Sequence, residues 1–269
     1  MKIAVVTGAS SGMGLEFAKL IDEEYDVDEI WLIARRKERL QTLCGCLKTR
    51  TRVMPLDLTD KDSILQYNNA LKEADPVVTV LVNASGFGKF GKFTDIPSEE
   101  YRNMIDLNCT ATVEMVYTSL QYMTSGSEIY NIDSLSSFQP VPYINVYGAT
   151  KAFVLSFSRA LNAELSGRGI HVIAVCPGWV NTEFFARAVS DCSIKYFNKV
   201  FEAKDVVKKA FKDMKKGRDV SVLGFSIRAQ VLATKLLPHR LIMKIWIKQQ
   251  NRARNADAVY KYTDIQRRV

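Results

Sequence analysis

Short, continuous apolar runs alternate with amphipathic stretches from residue 2 to residue 223, without a linker or a shift in composition. Residues 2–6, 29–34, 51–56, 77–82, 128–132, 170–175 and 219–223 read as strands. Residues 13–24, 37–48, 60–74, 98–123, 145–166 and 203–216 carry helical patterns between them. Strands that are apolar throughout are buried on both faces. The alternation therefore predicts an α/β fold of the Rossmann type, a doubly wound, mostly parallel seven-stranded sheet with helices on both faces. One domain is expected over 1–223, and a basic helical extension over 224–269 is expected to pack on it.

Composition narrows the function classes. Apolar residues make up 47% of the 269, which excludes a disordered chain. No apolar run approaches the ~18 residues of a membrane-crossing helix. The five cysteines (Cys44, Cys46, Cys109, Cys176 and Cys192) are odd in number and scattered, so they form no disulfide framework. None stands at zinc spacing with a second pair or a histidine, and no metal is expected. Buried thiols in a reducing, cytoplasmic setting fit best. Residues 221–269 hold ten Lys/Arg and two acids, so the entire net charge of +8 sits at the C-terminal end.

The first strand runs into Thr7-Gly8-Ala9-Ser10-Ser11-Gly12-Met13-Gly14 and then a helix. A dinucleotide pyrophosphate rests on helix N-terminal amides at such a turn, and glycines let the backbone come close to it. The second strand ends Ala34-Arg35-Arg36, with no acid to take the ribose hydroxyls of NAD. Arginine offers bidentate recognition of a 2′-phosphate, which points to NADP(H). The plainer reading is that Arg35 and Arg36 only open a charged helix. Tyr147 and Lys151 are four apart, on one helix face, and Ser134 ends a strand. A cation beside tyrosine favours the phenolate and draws its pKa from about 10 toward working pH. Tyr147 then exchanges a proton with an alcohol or ketone oxygen that Ser134 also holds.

Taken in order, these motifs resemble the short-chain dehydrogenase/reductase family, in its single-domain branch, over roughly residues 1–223. The resemblance extends to Asp57 near the adenine and to Asn83-Ala84-Ser85-Gly86 after the fourth strand. Ala84 and Ser85 stand there in place of the family's Asn and Ala. It also covers Asn108 as the fourth catalytic residue and Pro177-Gly178-Trp179-Val180-Asn181-Thr182 as the turn by the nicotinamide. It implies a catalytic set of Asn108, Ser134, Tyr147 and Lys151. The implied cofactor-binding set is Gly8, Ser10, Ser11, Gly12, Met13, Gly14, Arg35, Arg36, Asp57, Asn83, Pro177, Gly178, Val180 and Thr182, with Tyr147 and Lys151 shared. It implies hydride transfer with Tyr147 as general acid or base, Ser134 polarising the carbonyl and Lys151 holding the nicotinamide ribose. Asn108 holds a water in the proton path through Lys151.

In the family the segment after Thr182 forms a lid, here Glu183 to Phe201. Aromatics in the pocket-facing segments favour an apolar ligand. Phe138, Tyr143, Trp179, Phe184 and Phe185 are the candidate substrate-binding residues, for a bulky, steroid- or acyl-like ketone or secondary alcohol. The C-terminal stretch Ala233 to Arg254 interleaves Leu236, Leu237, Leu241, Ile242, Ile245 and Trp246 with Lys and Arg, and Pro238 is placed to start a helix. It is expected to cover the pocket; a subunit contact and a peripheral membrane contact are the other readings. No motif points to nucleic acid. A homo-oligomer, dimer or tetramer, is expected. The competing function is a non-catalytic dinucleotide sensor or scaffold, against which the intact Ser134, Tyr147 and Lys151 argue.

Overall fold

The computed structural model describes residues 1–188 and 199–250. The centre of the expected lid (189–198, with Cys192) and residues 251–269 of the extension lie outside the described residues. Seven parallel strands form one sheet: β1 (Lys2–Thr7), β2 (Glu29–Ile33), β3 (Arg50–Met54), β4 (Val77–Asn83), β5 (Glu128–Ile132), β6 (His171–Val175) and β9 (Val220–Ser221). Their order is β3-β2-β1-β4-β5-β6-β9. The chain reverses direction across the sheet between β1 and β4, and the carboxyl ends there open the crevice where such sheets bind ligands.

Successive side chains on each strand serve opposite cores. Ala4 and Val6 pack on one face with Phe17 of α1 (Gly12–Glu24) and Phe211 of α8 (Ala203–Met214). Ile3 and Val5 pack on the other with Tyr67 of α3 (Lys61–Ala74) and Met115 of α5 (Ala111–Leu120). The helix α2 (Lys37–Cys44) joins β2 to β3. Both faces are thus covered, which is why the strands carry no polar alternation.

Two features depart from the sequence pattern. The helix expected over 98–123 is α4 (Ser98–Ile105), a π-helical segment (Asp106–Thr110) and then α5. Apolar periodicity runs through the segment and hides the extra residue in its turn. A second, two-stranded parallel sheet pairs β7 (Trp179–Asn181) with β8 (Val200–Glu202). Strands of three residues are too short to show in an apolar pattern. Beyond β9, α9 (Phe225–Leu236) and α10 (His239–Gln250) are separated at Leu237-Pro238. Among the described residues no helix is long and apolar enough to cross a membrane.

Candidate active site

The glycine turn lies against β4. Gly8 has φ of +65°, and a Cβ there would stand 2.6 Å from the Ala84 carbonyl oxygen. A Cβ on Gly14 would stand 2.4 Å from the Gly8 carbonyl oxygen, so the turn is as tight as bare backbone allows. The Thr7 hydroxyl accepts from the backbone N–H groups of Ala84 (3.0 Å) and Ser85 (3.1 Å), which ties the departing Ala84-Ser85 turn to β1. Ser11 begins α1 with no side-chain cap, and the first turn holds no acid. The leading N–H groups and the positive end of the helix dipole therefore suit an anion.

Of the two expected phosphate-binding arginines, Arg36 touches this turn and Arg35 faces Asp57. Arg35 stands 3.5 Å from Asp57. Burial works against the Asp57 carboxylate, but hydrogen bonds from Thr59 and the Arg35 charge hold it below its ordinary range. Arg36 donates to Ser11 Oγ (2.9 Å), Ser10 Oγ (3.1 Å) and Glu183 Oε2 (2.8 Å). Glu183 also pairs with Arg39. Arg36 thus joins the glycine turn to the segment after Thr182, a role the sequence did not suggest.

Tyr147 and Lys151 project from α6 (Asn145–Leu165), both buried. Lys151 Nζ lies 5.8 Å from the centre of the Tyr147 ring and donates to the Ile132 carbonyl at 2.7 Å. Ser134, two residues beyond β5, lines the same cavity as Tyr147, and its hydroxyl accepts from the Ser136 N–H at 3.2 Å. Lys151 was expected to lower the Tyr147 pKa, but the shift runs upward and the Lys151 charge does not contribute to it. Burial pushes the phenol above its ordinary range, and the Ser134 side chain opposes this only in part. Burial also lowers the Lys151 pKa, with Asp133 opposing it.

Asp133 was missed by sequence reasoning. Its carboxyl is buried at the cavity wall beside Ser134 and accepts from Cys176 Sγ at 3.2 Å. Its Oδ1 has no hydrogen-bond partner among the described residues. Burial pushes its pKa up to about 7, against the lowering by the Lys151 charge. The signal available was an acid directly after an apolar strand of the sheet, where a lone carboxylate is costly.

Asn108 sits in the π-helical segment, 1% exposed. Its amide donates to the Phe87 carbonyl (2.9 Å) and to Thr150 Oγ1 (3.0 Å), and its carbonyl accepts from the Phe87 N–H (3.1 Å). Thr150 Oγ1 donates in turn to the Tyr147 carbonyl. Asn108 therefore braces the loop after β4 against α6. Asn83 donates to Asn131 Oδ1 at 2.8 Å, between β4 and β5. The Pro177 carbonyl accepts from the Leu135 N–H at 2.9 Å, and Thr182 stands beside Gly12.

A cavity of about 400 Å³ lies beside these elements; Asn83, Asn108, Gly8, Gly14, Arg35, Arg36 and Asp57 stand outside its lining. Ser134, Tyr147 and Lys151 form one wall, and Met13, Gly178, Val180 and Thr182 adjoin it. Trp179, Phe184 and Phe185 form an aromatic wall. Ile242 and Trp246 of α10 cover it; Trp246 stacks on Trp179 (6.5 Å, 23°) and donates to the Pro142 carbonyl at 3.0 Å. Two expected lining residues sit elsewhere. Phe138 packs against the cluster of Cys176, Val222 and Ile227, and Tyr143, at φ +69°, against the cluster that holds Phe90 and Ile144; neither lines the cavity. Both follow the strand in irregular backbone, where spacing does not tell which way a ring faces.

The sequence pattern described as short chain dehydrogenase matches residues 2–193. The chain belongs to the short-chain dehydrogenase/reductase family. It is an oxidoreductase of that type. An uncharacterized oxidoreductase of Staphylococcus epidermidis is 34% identical over 183 residues, covering 67% of this chain and 79% of its own. A short-chain dehydrogenase from Sphingobium yanoikuyae, solved in complex with NADPH, superposes with a TM-score of 0.75 at 29% identity, covering 91% of this chain and 96% of its own. The bulky-bulky ketone specific alcohol dehydrogenase from Comamonas testosteroni superposes with a TM-score of 0.71 at 26% identity, covering 91% and 94%.

Proposed function

We propose that this short-chain dehydrogenase is an NADP(H)-dependent enzyme that interconverts a bulky, apolar ketone and its secondary alcohol. The observation that carries this reading is one cavity lined both by Ser134, Tyr147 and Lys151 and by the aromatic rings of Trp179, Phe184, Phe185 and Trp246. A substrate's polar group at that wall meets hydrogen-bond donors, and most of the remaining lining is aromatic or aliphatic. The ketone named for the Comamonas testosteroni relative is of this class.

The residues present fit the cofactor. The Gly8 and Gly14 cradle, filled by any Cβ, and the uncapped start of α1 suit a pyrophosphate. Arg35, at the end of β2, suits a 2′-phosphate, and the NADPH of the Sphingobium yanoikuyae relative agrees with that choice. When bound, the nicotinamide supplies or accepts the hydride at the carbinol carbon. Tyr147 gives its proton to the carbonyl oxygen in reduction and takes it back in oxidation, while Ser134 donates to the same oxygen. Lys151, anchored on the Ile132 carbonyl, sets the charge beside the phenol and would hold the nicotinamide ribose. In this scheme residues 1–223 carry cofactor and chemistry, and the extension closes the pocket.

The test is a titration of NADPH and NADH, followed by a panel of ketones and alcohols read by nicotinamide absorbance. Arg35→Ala is expected to weaken NADPH binding by roughly ten- to a hundredfold, the worth of one charge-assisted contact, and to leave NADH nearly unchanged. Tighter NADH than NADPH binding by the wild type would refute the cofactor choice. An inert panel with both cofactors would refute the chemistry.

A further inference from the structure

The outward faces of α9 and α10 form a patch of unusual chemistry. Phe225, Leu232 and Leu236 recur along one stripe of α9 and are 82%, 58% and 74% exposed. Leu241 and Ile245 recur one turn apart on α10, at 45% and 43%. Arg228, Lys235, Arg240, Lys244 and Lys248 are interleaved with them, all exposed, and form no ion pair with the described residues. Neither helix contains an acid. Leu237 and Ile245 belong to two surfaces at once: each lines the cavity and is more than 40% exposed. The apolar cavity therefore reaches the protein surface within this patch.

We infer that α9 and α10 dock on an anionic lipid surface, and that an apolar substrate enters the cavity from the lipid. Apolar side chains and cations on the same helix faces are what a lipid interface accepts, the former at the acyl boundary and the latter among the phosphates. Charge decides against the other occupants. A second copy would set five cations against the same five, with no acid to answer them. Residues 251–269 are themselves basic, with five Lys/Arg and two acids, and do not complement the patch either. A nucleic acid would answer the charge and leave Phe225 and Leu236 in water. The entry route rests on the reading of the cavity as the substrate pocket; the docking does not.

The full chain should sediment with vesicles of phosphatidylcholine containing about a third phosphatidylglycerol, and be released as salt rises from ~0.1 to ~0.5 M. Vesicles of phosphatidylcholine alone should bind it at least tenfold more weakly, because each Lys or Arg at an anionic surface strengthens binding roughly fivefold. Lys235→Glu with Lys244→Glu should lower the partition by about 25-fold or more. Both residues stand outside the cavity, so turnover of a small water-soluble ketone should not change. A bulky ketone delivered in anionic vesicles should show a lower KM with the wild type than with this variant. Equal binding to neutral and anionic vesicles would overturn the inference. So would self-association, seen by sedimentation velocity, that the two substitutions abolish. Vesicle binding without any ketone turnover would uphold the docking and defeat the catalytic assignment instead.

Discussion

Tyr147→Phe is expected to lower turnover by ~10²- to 10⁴-fold, the usual worth of a positioned general acid, while cofactor affinity and stability stay near wild type. The substitution removes one hydroxyl and keeps the ring, which packs against Phe90 and Phe184 at centroid distances of 6.0 Å and 5.4 Å. The direction of the pKa shift matters here. Burial holds the phenol above its ordinary range, so it keeps its proton at neutral pH and stands ready as an acid for ketone reduction. Alcohol oxidation needs the phenolate and should gain more from rising pH than reduction does. Steady-state kinetics in both directions, with cofactor affinity measured by fluorescence, decide the matter. Near-normal turnover by the phenylalanine variant would remove Tyr147 from the proton path.

The second large effect concerns Asp133. Its carboxyl ordinarily titrates near 3.8 and is pushed up to about 7 in the fold. An acid that holds its proton more tightly when folded adds stability that is fully present below about pH 4. That stability is lost as pH rises through about 7, and a shift of this size corresponds to roughly 4 kcal/mol. Asp133→Asn should therefore flatten the pH dependence of stability between pH 4 and 7. It should also move the pH profile of turnover, because Lys151 loses the carboxylate that opposes its fall. Urea denaturation at a series of pH values reads the first effect. A wild type whose stability is already flat across that window would show that the carboxyl titrates normally.

The parts of this architecture that were legible in the sequence are those with continuous physical signatures. Strands such as Val77–Asn83 are covered on both sides and run nearly continuously apolar, so they announce themselves. The glycine turn is equally plain, because Gly8 and Gly14 stand where any Cβ would strike backbone. What stayed hidden depends on a single residue or on tertiary contact. The π-helical turn at Asp106–Thr110 changes the local register without disturbing apolar periodicity, yet it aims Asn108 at the Phe87 backbone. Asp133 is one acid beside a strand end, and its burial becomes visible only when Cys176 and Lys151 close around it. The Arg36–Glu183 pair joins residues 147 positions apart. Among the aromatics, composition announced an apolar pocket but could not sort Trp179 and Phe185, which line it, from Phe138, which packs against Ile227.

The C-terminal helices show the same limit from the other side. Their sequence mixes large apolar residues with cations, and either a pocket cover or a surface contact satisfies that pattern. The fold divides the residues between the two: Ile242 and Trp246 turn inward to the cavity, and Leu236 and Leu241 turn out.

The proposal on which the rest depends is hydride transfer from NADPH to a bulky ketone at the wall formed by Ser134, Tyr147 and Lys151. The most direct measurement is the reduction of such a ketone with NADPH deuterated at C4 of the nicotinamide, with the alcohol examined by mass spectrometry and NMR. One deuterium is expected on the carbinol carbon, from one face of the nicotinamide, and none at that carbon from solvent. An alcohol whose carbinol hydrogen comes from water, or no reduction of any bulky ketone, would contradict it.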